Sequence, residues 1–199
     1  MRSVLLGAVT IVLATTPAAH ATLTVTNGGL WTIDTRAKAV ACVAGHCESD
    51  HVQQSDDLSL PAGTMVQIVL QVLSCQALAL EDYCDLAPRR KGKFKLVSCD
   101  KQALGPLLES CVPYPQFRLR RVGGFERMAS DGQNFKWKSA VAFTMRASGY
   151  TVSVNIVATV EGTLVAPAST SGAPAPVTLD LAPATAPLVE SLIGTVVGR

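Results

Sequence analysis

Apolar and polar residues alternate along much of the chain between residues 65 and 164. Alternation with a period of two predicts β-strands that bury one face and expose the other. The pattern predicts strands at 65–73, 93–98, 116–122, 134–139, 140–147 and 150–164. A hairpin is also expected around Asn27, between the segments "TLTVT" and "LWTID".

Short turn sequences separate several of these runs. Gly123-Gly124, Asp131-Gly132 and Ser148-Gly149 supply residues that tolerate the backbone conformations of tight hairpins. Closely spaced strands joined by such turns are typical of antiparallel sheets, and they argue against alternating strands and helices. The predicted fold is therefore mainly β, an antiparallel β-sandwich or a partly open barrel, over residues 22–164.

Two stretches, 75–84 and 100–111, interrupt the alternation and are predicted to be short helical insertions. Residues 165–186 are rich in alanine and proline, which predicts a flexible, extended linker. The last segment, 187–199, repeats apolar pairs every four residues, which predicts a short helix with one apolar stripe. Such an apolar stripe is expected to be buried against another surface, and we expect this surface to be the chain's own β domain. A partner or a membrane surface is the alternative.

Residues 1–21 have the features of a signal peptide. Arg2 precedes the apolar run Val4–Ala14, which is shorter than the 20 or so residues that span a bilayer. The small residues Ala19 and Ala21 then provide the pattern that signal peptidase recognises. We expect cleavage near Ala21, a secreted or periplasmic protein, and no transmembrane segment in the mature chain.

Cysteine usage agrees with export. The six cysteines are an even number, and in an oxidising compartment an even count predicts disulfides. The predicted bridges use Cys42, Cys47, Cys75, Cys84, Cys99 and Cys111. Cys42 is expected to pair with Cys47. For the other four, the local pairs 75–84 and 99–111 are preferred because each closes one insertion, and other connectivities stay open.

The stretch "CVAGHCESDH" also contains the residue types of a metal site. Cys42, His46, Cys47 and His51 would ligate zinc if both thiols stayed reduced and the four side chains converged. However, four residues between the cysteines match neither the usual zinc spacing nor the usual redox spacing. The preferred interpretation is a disulfide across a four-residue hairpin loop, with no metal and no cofactor. A small metal-binding protein is the alternative function.

Charge is unevenly distributed, although the formal net charge is only +2. Residues 22–87 hold two basic residues against eight acidic ones, whereas residues 88–146 hold thirteen against four. In the predicted strands, basic side chains alternate with apolar ones and therefore share a sheet face. The expected cationic stripe consists of Lys93, Lys95, Arg118, Arg120, Lys136 and Lys138.

A cationic sheet face predicts binding of an anionic polymer or an acidic protein surface. Nucleic acid is not expected, because the chain has no recognised nucleic-acid motif and is predicted to be exported. Self-association is a variant of the same hypothesis, with the acidic segments 48–57 and 81–85 of one copy meeting the basic face of another. The plainer interpretation is a solvated face whose charges protect edge strands from aggregation.

Enzymatic chemistry is not predicted. Only His46 and His51 remain after removal of the signal peptide, and the chain has no nucleophile elbow, phosphate-binding glycine loop or zinc-protease motif. The run "SDHVQQSDD" lacks the ligand spacing of a calcium loop and is expected to be a mobile acidic loop. The sequence therefore predicts an exported, non-enzymatic binding or surface-assembly module.

Overall fold

The structure, a computed structural model, describes residues 23–69, 84–90, 93–99, 116–168 and 174–198. These residues form ten strands and one helix. The strands are β1 (Leu23–Thr24), β2 (Gly29–Val43), β3 (His46–Leu60), β4 (Met65–Val69), β5 (Cys84–Arg89), β6 (Lys93–Cys99), β7 (Arg118–Met128), β8 (Asn134–Ala147), β9 (Tyr150–Pro167) and β10 (Val177–Asp180), and the helix is α1 (Ala182–Val197). The prediction of a mainly β protein is confirmed.

Seven strands form one antiparallel sheet in the order β3-β2-β9-β8-β7-β6-β5. Its edge strands, β3 and β5, do not pair with each other, so the sheet does not close into a barrel. A second sheet has three strands in the order β1-β4-β10, and in this sheet β10 runs parallel to β4. The predicted antiparallel pairing is confirmed for the large sheet. The two runs expected at 134–139 and 140–147 are a single strand, β8.

The large sheet buries one face, called here the inner face. In β9 every second residue from Val152 to Val160 is buried, as the alternation predicts. Strands β2 and β8 contribute larger side chains, and the ring centroids of Trp31 and Phe135 lie 5.6 Å apart. Burial of these apolar side chains is the main force that holds the sheet against its covering elements.

Helix α1 covers part of the inner face, packing mainly against β2 and β3 and also contacting β9. Its apolar stripe is buried and consists of Leu188, Val189, Leu192, Ile193 and Val196. The helix begins at Ala182 rather than at Pro187, and the Thr185 hydroxyl donates a 2.9 Å hydrogen bond to the Leu181 carbonyl oxygen in its first turn. Strand β10 also lies within the segment 165–186, because its backbone pairs with β4 despite the linker-like composition. The stripe thus docks on the chain's own sheet.

The disulfide Cys42–Cys47 closes the β2–β3 hairpin. The two cysteines are cross-strand partners, and their Cα atoms lie 4.1 Å apart. Ala44 and Gly45 form the turn between the strands, with φ angles of 49° and 89°. Positive φ at both turn residues is what a two-residue type I′ hairpin requires. The predicted pairing is confirmed, but the loop is shorter than expected, and His46 is the first residue of β3 rather than a loop-tip residue.

Two expectations about the first 60 residues are wrong. The acidic run expected as a mobile loop lies within β3, which pairs with β2 along its whole length. Alternation does not reveal β3 because it is an edge strand with few buried residues, and its backbone hydrogen bonds to β2 hold it in place. The hairpin expected around Asn27 does not form, because β1 pairs with β4 while β2 pairs with β3 and β9.

Several predictions fall outside the described residues, among them the signal peptide 1–21 and the insertion 100–111. Of the insertion 75–84, the structure describes the last residue alone, Cys84, which begins β5. Among the cysteines whose side chains the structure describes there is one disulfide, Cys42–Cys47, whereas three are predicted for the whole chain. Within the described ranges, no helix has the length and apolar character needed to cross a membrane.

Candidate anion-binding face

The face of the large sheet opposite the core is called here the outer face. Directly paired residues of neighbouring antiparallel strands point to the same side of the sheet, so the register assigns residues of β2, β9, β8 and β7 to this face. On these four strands the outer face carries nine basic residues: Arg36, Lys38, Arg118, Arg120, Arg121, Arg127, Lys136, Lys138 and Arg146. The same strands place two carboxylates on it, Asp34 and Glu161.

The predicted lysines lie towards one end of this face. Lys136 and Lys138 alternate with buried residues of β8, as the sequence pattern predicts. Lys93 in β6 pairs with Phe125 in β7, which pairs with Lys138, so the register places both lysines in one cross-strand row. Lys95 occupies the corresponding place two residues along β6. The structure thus brings the four lysines of the expected stripe to neighbouring positions of the sheet.

The predicted arginines lie at the other end. Arg118 pairs with Thr144, which is eight residues from Lys136 along β8. At about 3.4 Å per strand residue, this separation is about 27 Å. Lys95 lies between these extremes, because it pairs with Gly123, two residues from Arg121 along β7. We call the end of the outer face with Lys136 and Lys138 the lysine end, and the end with Arg118 the arginine end.

A β-bulge in β7 gathers three arginines at the second end. The register shifts between Leu119 and Arg121, which leaves Arg120 as the extra residue of the bulge. Arg118 and Arg121 oppose the outer-face residues Thr144 and Ala142. Arg120 also lies on this side, because its Nε donates a 3.2 Å hydrogen bond to Thr144 Oγ1. We call Arg118, Arg120 and Arg121 the arginine cluster, and all three side chains are exposed.

Carboxylates compensate the lysine end. Lys136 forms an ion pair with Glu161 of β9, and Glu161 is the cross-strand partner of Asp34 in β2. Both side chains of the ion pair are exposed by more than a third, so water screens the pair and it adds little stability. Its effect is instead on the field of the outer face, because it partly cancels the positive charge around Lys136.

Five basic residues of the outer face were not part of the predicted stripe. Arg36 and Lys38 lie on β2, a strand that the sequence pattern indicated only near its start. Arg127 was missed because Gly123-Gly124 indicated a turn, whereas β7 continues through this pair to Met128. The alternation of charged residues with alanine in "TRAKA" was the available signal for β2. The remaining two are Arg121 and Arg146.

The alternative metal site is not assembled. Cys42 and Cys47 are joined in a disulfide, so neither sulfur is a thiolate ligand. His46 and His51 are five residues apart on the extended strand β3, which separates them by about 17 Å. In the part of the chain that the structure describes, no three His, Cys, Asp or Glu side chains cluster as metal ligands would. This geometry gives the metal-binding alternative no support.

Glu126 is the one acidic residue of β7, and it faces the core. It pairs with the buried Trp137 of β8, and desolvation raises the pKa of its carboxyl. Its Oε2 atom is buried and has no hydrogen-bond partner among the described residues.

Comparison with known proteins yields little. The chain matches no family model and no curated protein. Among solved structures, it matches the ywiB protein from Bacillus subtilis over 65% of this chain and 91% of that chain, with 8% sequence identity and a TM-score of 0.22. A similarity at this TM-score supports no conclusion about fold or function.

Proposed function

We propose that this chain is an exported, non-enzymatic binding or surface-assembly module that engages an anionic polymer or an acidic protein surface. The observation that carries the proposal is the outer face of the four adjacent strands β2, β9, β8 and β7, which bears nine basic residues and two carboxylates. A sheet face with such a surplus creates a positive potential that attracts and concentrates anionic partners. Burial of the opposite face keeps the strands, and hence the charges, in fixed positions.

Export is part of this proposal, and the N-terminal pattern supports it. Residues 1–21 act as a signal peptide that is cleaved near Ala21, and the mature protein is secreted or periplasmic. In that compartment the common anionic partners are acidic polysaccharides, lipid head groups and acidic proteins, and nucleic acid is not expected. The acidic strand β3 of a second copy is one such acidic surface, which makes self-association a specific form of the proposal.

The covalent framework is the second part of the proposal, with three disulfides in the mature chain. Cys84 of β5 is the cross-strand partner of Cys99 of β6, the same relation that joins Cys42 to Cys47. Directly opposed strand residues lie about 4.5–5.5 Å apart, within disulfide range. This register favours the pair 84–99 over the local pairs 75–84 and 99–111, and it leaves Cys75 and Cys111, which lie outside the described residues, for the third bridge.

Retention on immobilised heparin tests the binding proposal. The double variant Arg118→Gln/Lys138→Gln removes one charge from each end of the outer face. We expect it to bind about tenfold or more weakly and to elute at lower salt, because each cation near an anionic surface contributes about 1 kcal/mol.

The matched control is Thr178→Glu/Ser191→Glu, which lowers the net charge by the same amount at exposed positions on β10 and α1. This control should elute close to the wild type. Equal shifts for the two double variants would mean that net charge alone governs retention, and the outer face would then be ordinary solvated surface.

A further inference from the structure

The arginine cluster concentrates three like charges at one place on the outer face. Arg118, Arg120 and Arg121 fall within four consecutive residues of β7, and the bulge brings all three to the outer face. In a regular strand, neighbouring residues point to opposite faces, so Arg120 and Arg121 would lie on different sides. The bulge removes this alternation at one place, which is how β-bulges redirect side chains next to functional sites.

On the side of the cluster that faces β8 and β9, the cross-strand neighbours carry no carboxylate. The cross-strand neighbours of the cluster are Thr144 and Ala142 in β8, followed by Ser153 and Asn155 in β9. All four are neutral. The outer-face carboxylate Glu161 lies eight residues from Ser153 along β9, which is about 27 Å away. Residues of β8 and β9 therefore do not compensate the repulsion among the three guanidinium groups, in contrast to the lysine end, where Glu161 pairs with Lys136.

We infer that the arginine cluster is the primary binding site for a tetrahedral oxyanion, the sulfate or phosphate group of a polyanionic ligand. The inference rests on the proposed function and names the chemical class of the ligand. A guanidinium group offers paired N–H donors in a planar fork, which suits bidentate contacts to such groups. The three guanidinium groups around the bulge offer N–H donors from several directions. A tetrahedral anion has three or four oxygens that can accept from these donors, whereas a planar carboxylate has only two.

The surroundings of the cluster fit this role. Thr144 holds Arg120 through Nε, and this bond uses neither of its terminal nitrogens. Ala142, opposite Arg121, has a short side chain, so the neighbouring strand leaves space above the sheet for the anion. The lysines at the other end attract the rest of the polyanion by charge alone. They do not form a directional site, because an ammonium group acts as a point charge.

The test separates the shape of the donors from their charge. Arg120→Lys/Arg121→Lys keeps every charge but removes two forks, and Lys136→Arg/Lys138→Arg is the matched control at the other end. Binding is measured by calorimetry with three probes: heparin for sulfate groups, polyphosphate for phosphate groups, and polygalacturonate for carboxylates alone. Circular dichroism and the melting temperature verify that each variant is folded.

We expect Arg120→Lys/Arg121→Lys to weaken binding of heparin, polyphosphate or both by about tenfold, the loss associated with charged hydrogen bonds, while polygalacturonate binding changes little. The lysine-end control should bind all three probes as the wild type does. Equal binding of the sulfated and phosphorylated probes by the wild type and Arg120→Lys/Arg121→Lys would overturn the inference while leaving the proposed function intact. Failure of the wild type to bind any probe would instead count against the polyanion form of the proposed function and overturn the inference with it.

Discussion

Gly162 shows how a single residue constrains the packing of the sheet. It lies in β9 directly opposite Phe135 of β8, and the aromatic ring covers it. A Cβ atom at this position would overlap the ring. Phe135 has little room to yield, because it is buried and packs against Trp31. The absence of a side chain at Gly162 is therefore a requirement of the core.

Substitution of Gly162 by alanine should destabilise the protein. We expect Gly162→Ala to lower the free energy of unfolding by about 1–3 kcal/mol, the usual cost of overpacking a core. Gly123→Ala is the control, because an added Cβ at Gly123 of β7 meets no atom within 4 Å, and we expect a change within about 0.5 kcal/mol. Chemical denaturation of the two variants measures the difference, and equal stabilities would contradict the packing argument.

At the scale of elements, helix α1 covers part of the apolar inner face of the large sheet. The inner face of β2 and β3 would expose apolar side chains to water without a cover, and the stripe of α1 provides it. The sheet edges are protected differently. Strand β5 is short and contains Pro88, whereas β3 is long and carries acidic residues. Both proline and charge are devices that oppose pairing of an exposed edge with another chain.

Removal of one side chain from the stripe tests the docking of α1. Leu192 is buried, and we expect Leu192→Ala to lower the free energy of unfolding by about 2–4 kcal/mol through lost burial and a residual cavity. Ser191→Ala, at the adjacent exposed position, should change the stability by no more than about 0.5 kcal/mol. Thermal and denaturant unfolding measure both variants. A stable Leu192→Ala protein would mean that α1 contributes little to the folded domain.

At the scale of the whole molecule, charge is sorted across the large sheet. Acidic residues concentrate on the edge strand β3, and basic residues occupy the outer face of β2, β8 and β7. The near-zero net charge conceals this separation. Two copies could therefore approach with opposite charges facing each other, and such an association would weaken as salt is added.

Mass analysis of the exported protein tests the covalent framework. We expect the mature chain to begin after Ala21 and to weigh six hydrogen atoms less than its reduced form, because each disulfide forms with loss of two protons and two electrons to a disulfide oxidant. Digestion at Asp and Glu should yield a linked peptide pair containing Cys84 and Cys99. Linked pairs 75–84 and 99–111 would contradict the pairing derived from the register, and free thiols would contradict the three-disulfide proposal.

Local sequence determined the strands with one buried face, the apolar stripe of α1, the Cys42–Cys47 pair and the presence of basic residues at alternate positions of β8. These features depend on periodicity or on short sequence separation, which a single sequence displays. The apolar pattern did not predict strand β3, because an edge strand buries few side chains and needs no alternation of apolar residues. Only the tertiary structure decided that β2 lies between β3 and β9, since strand order depends on contacts between residues distant in sequence. The bulge at Arg120 likewise depends on the pairing of β7 with β8, and it is this pairing that turns three arginines into one cluster.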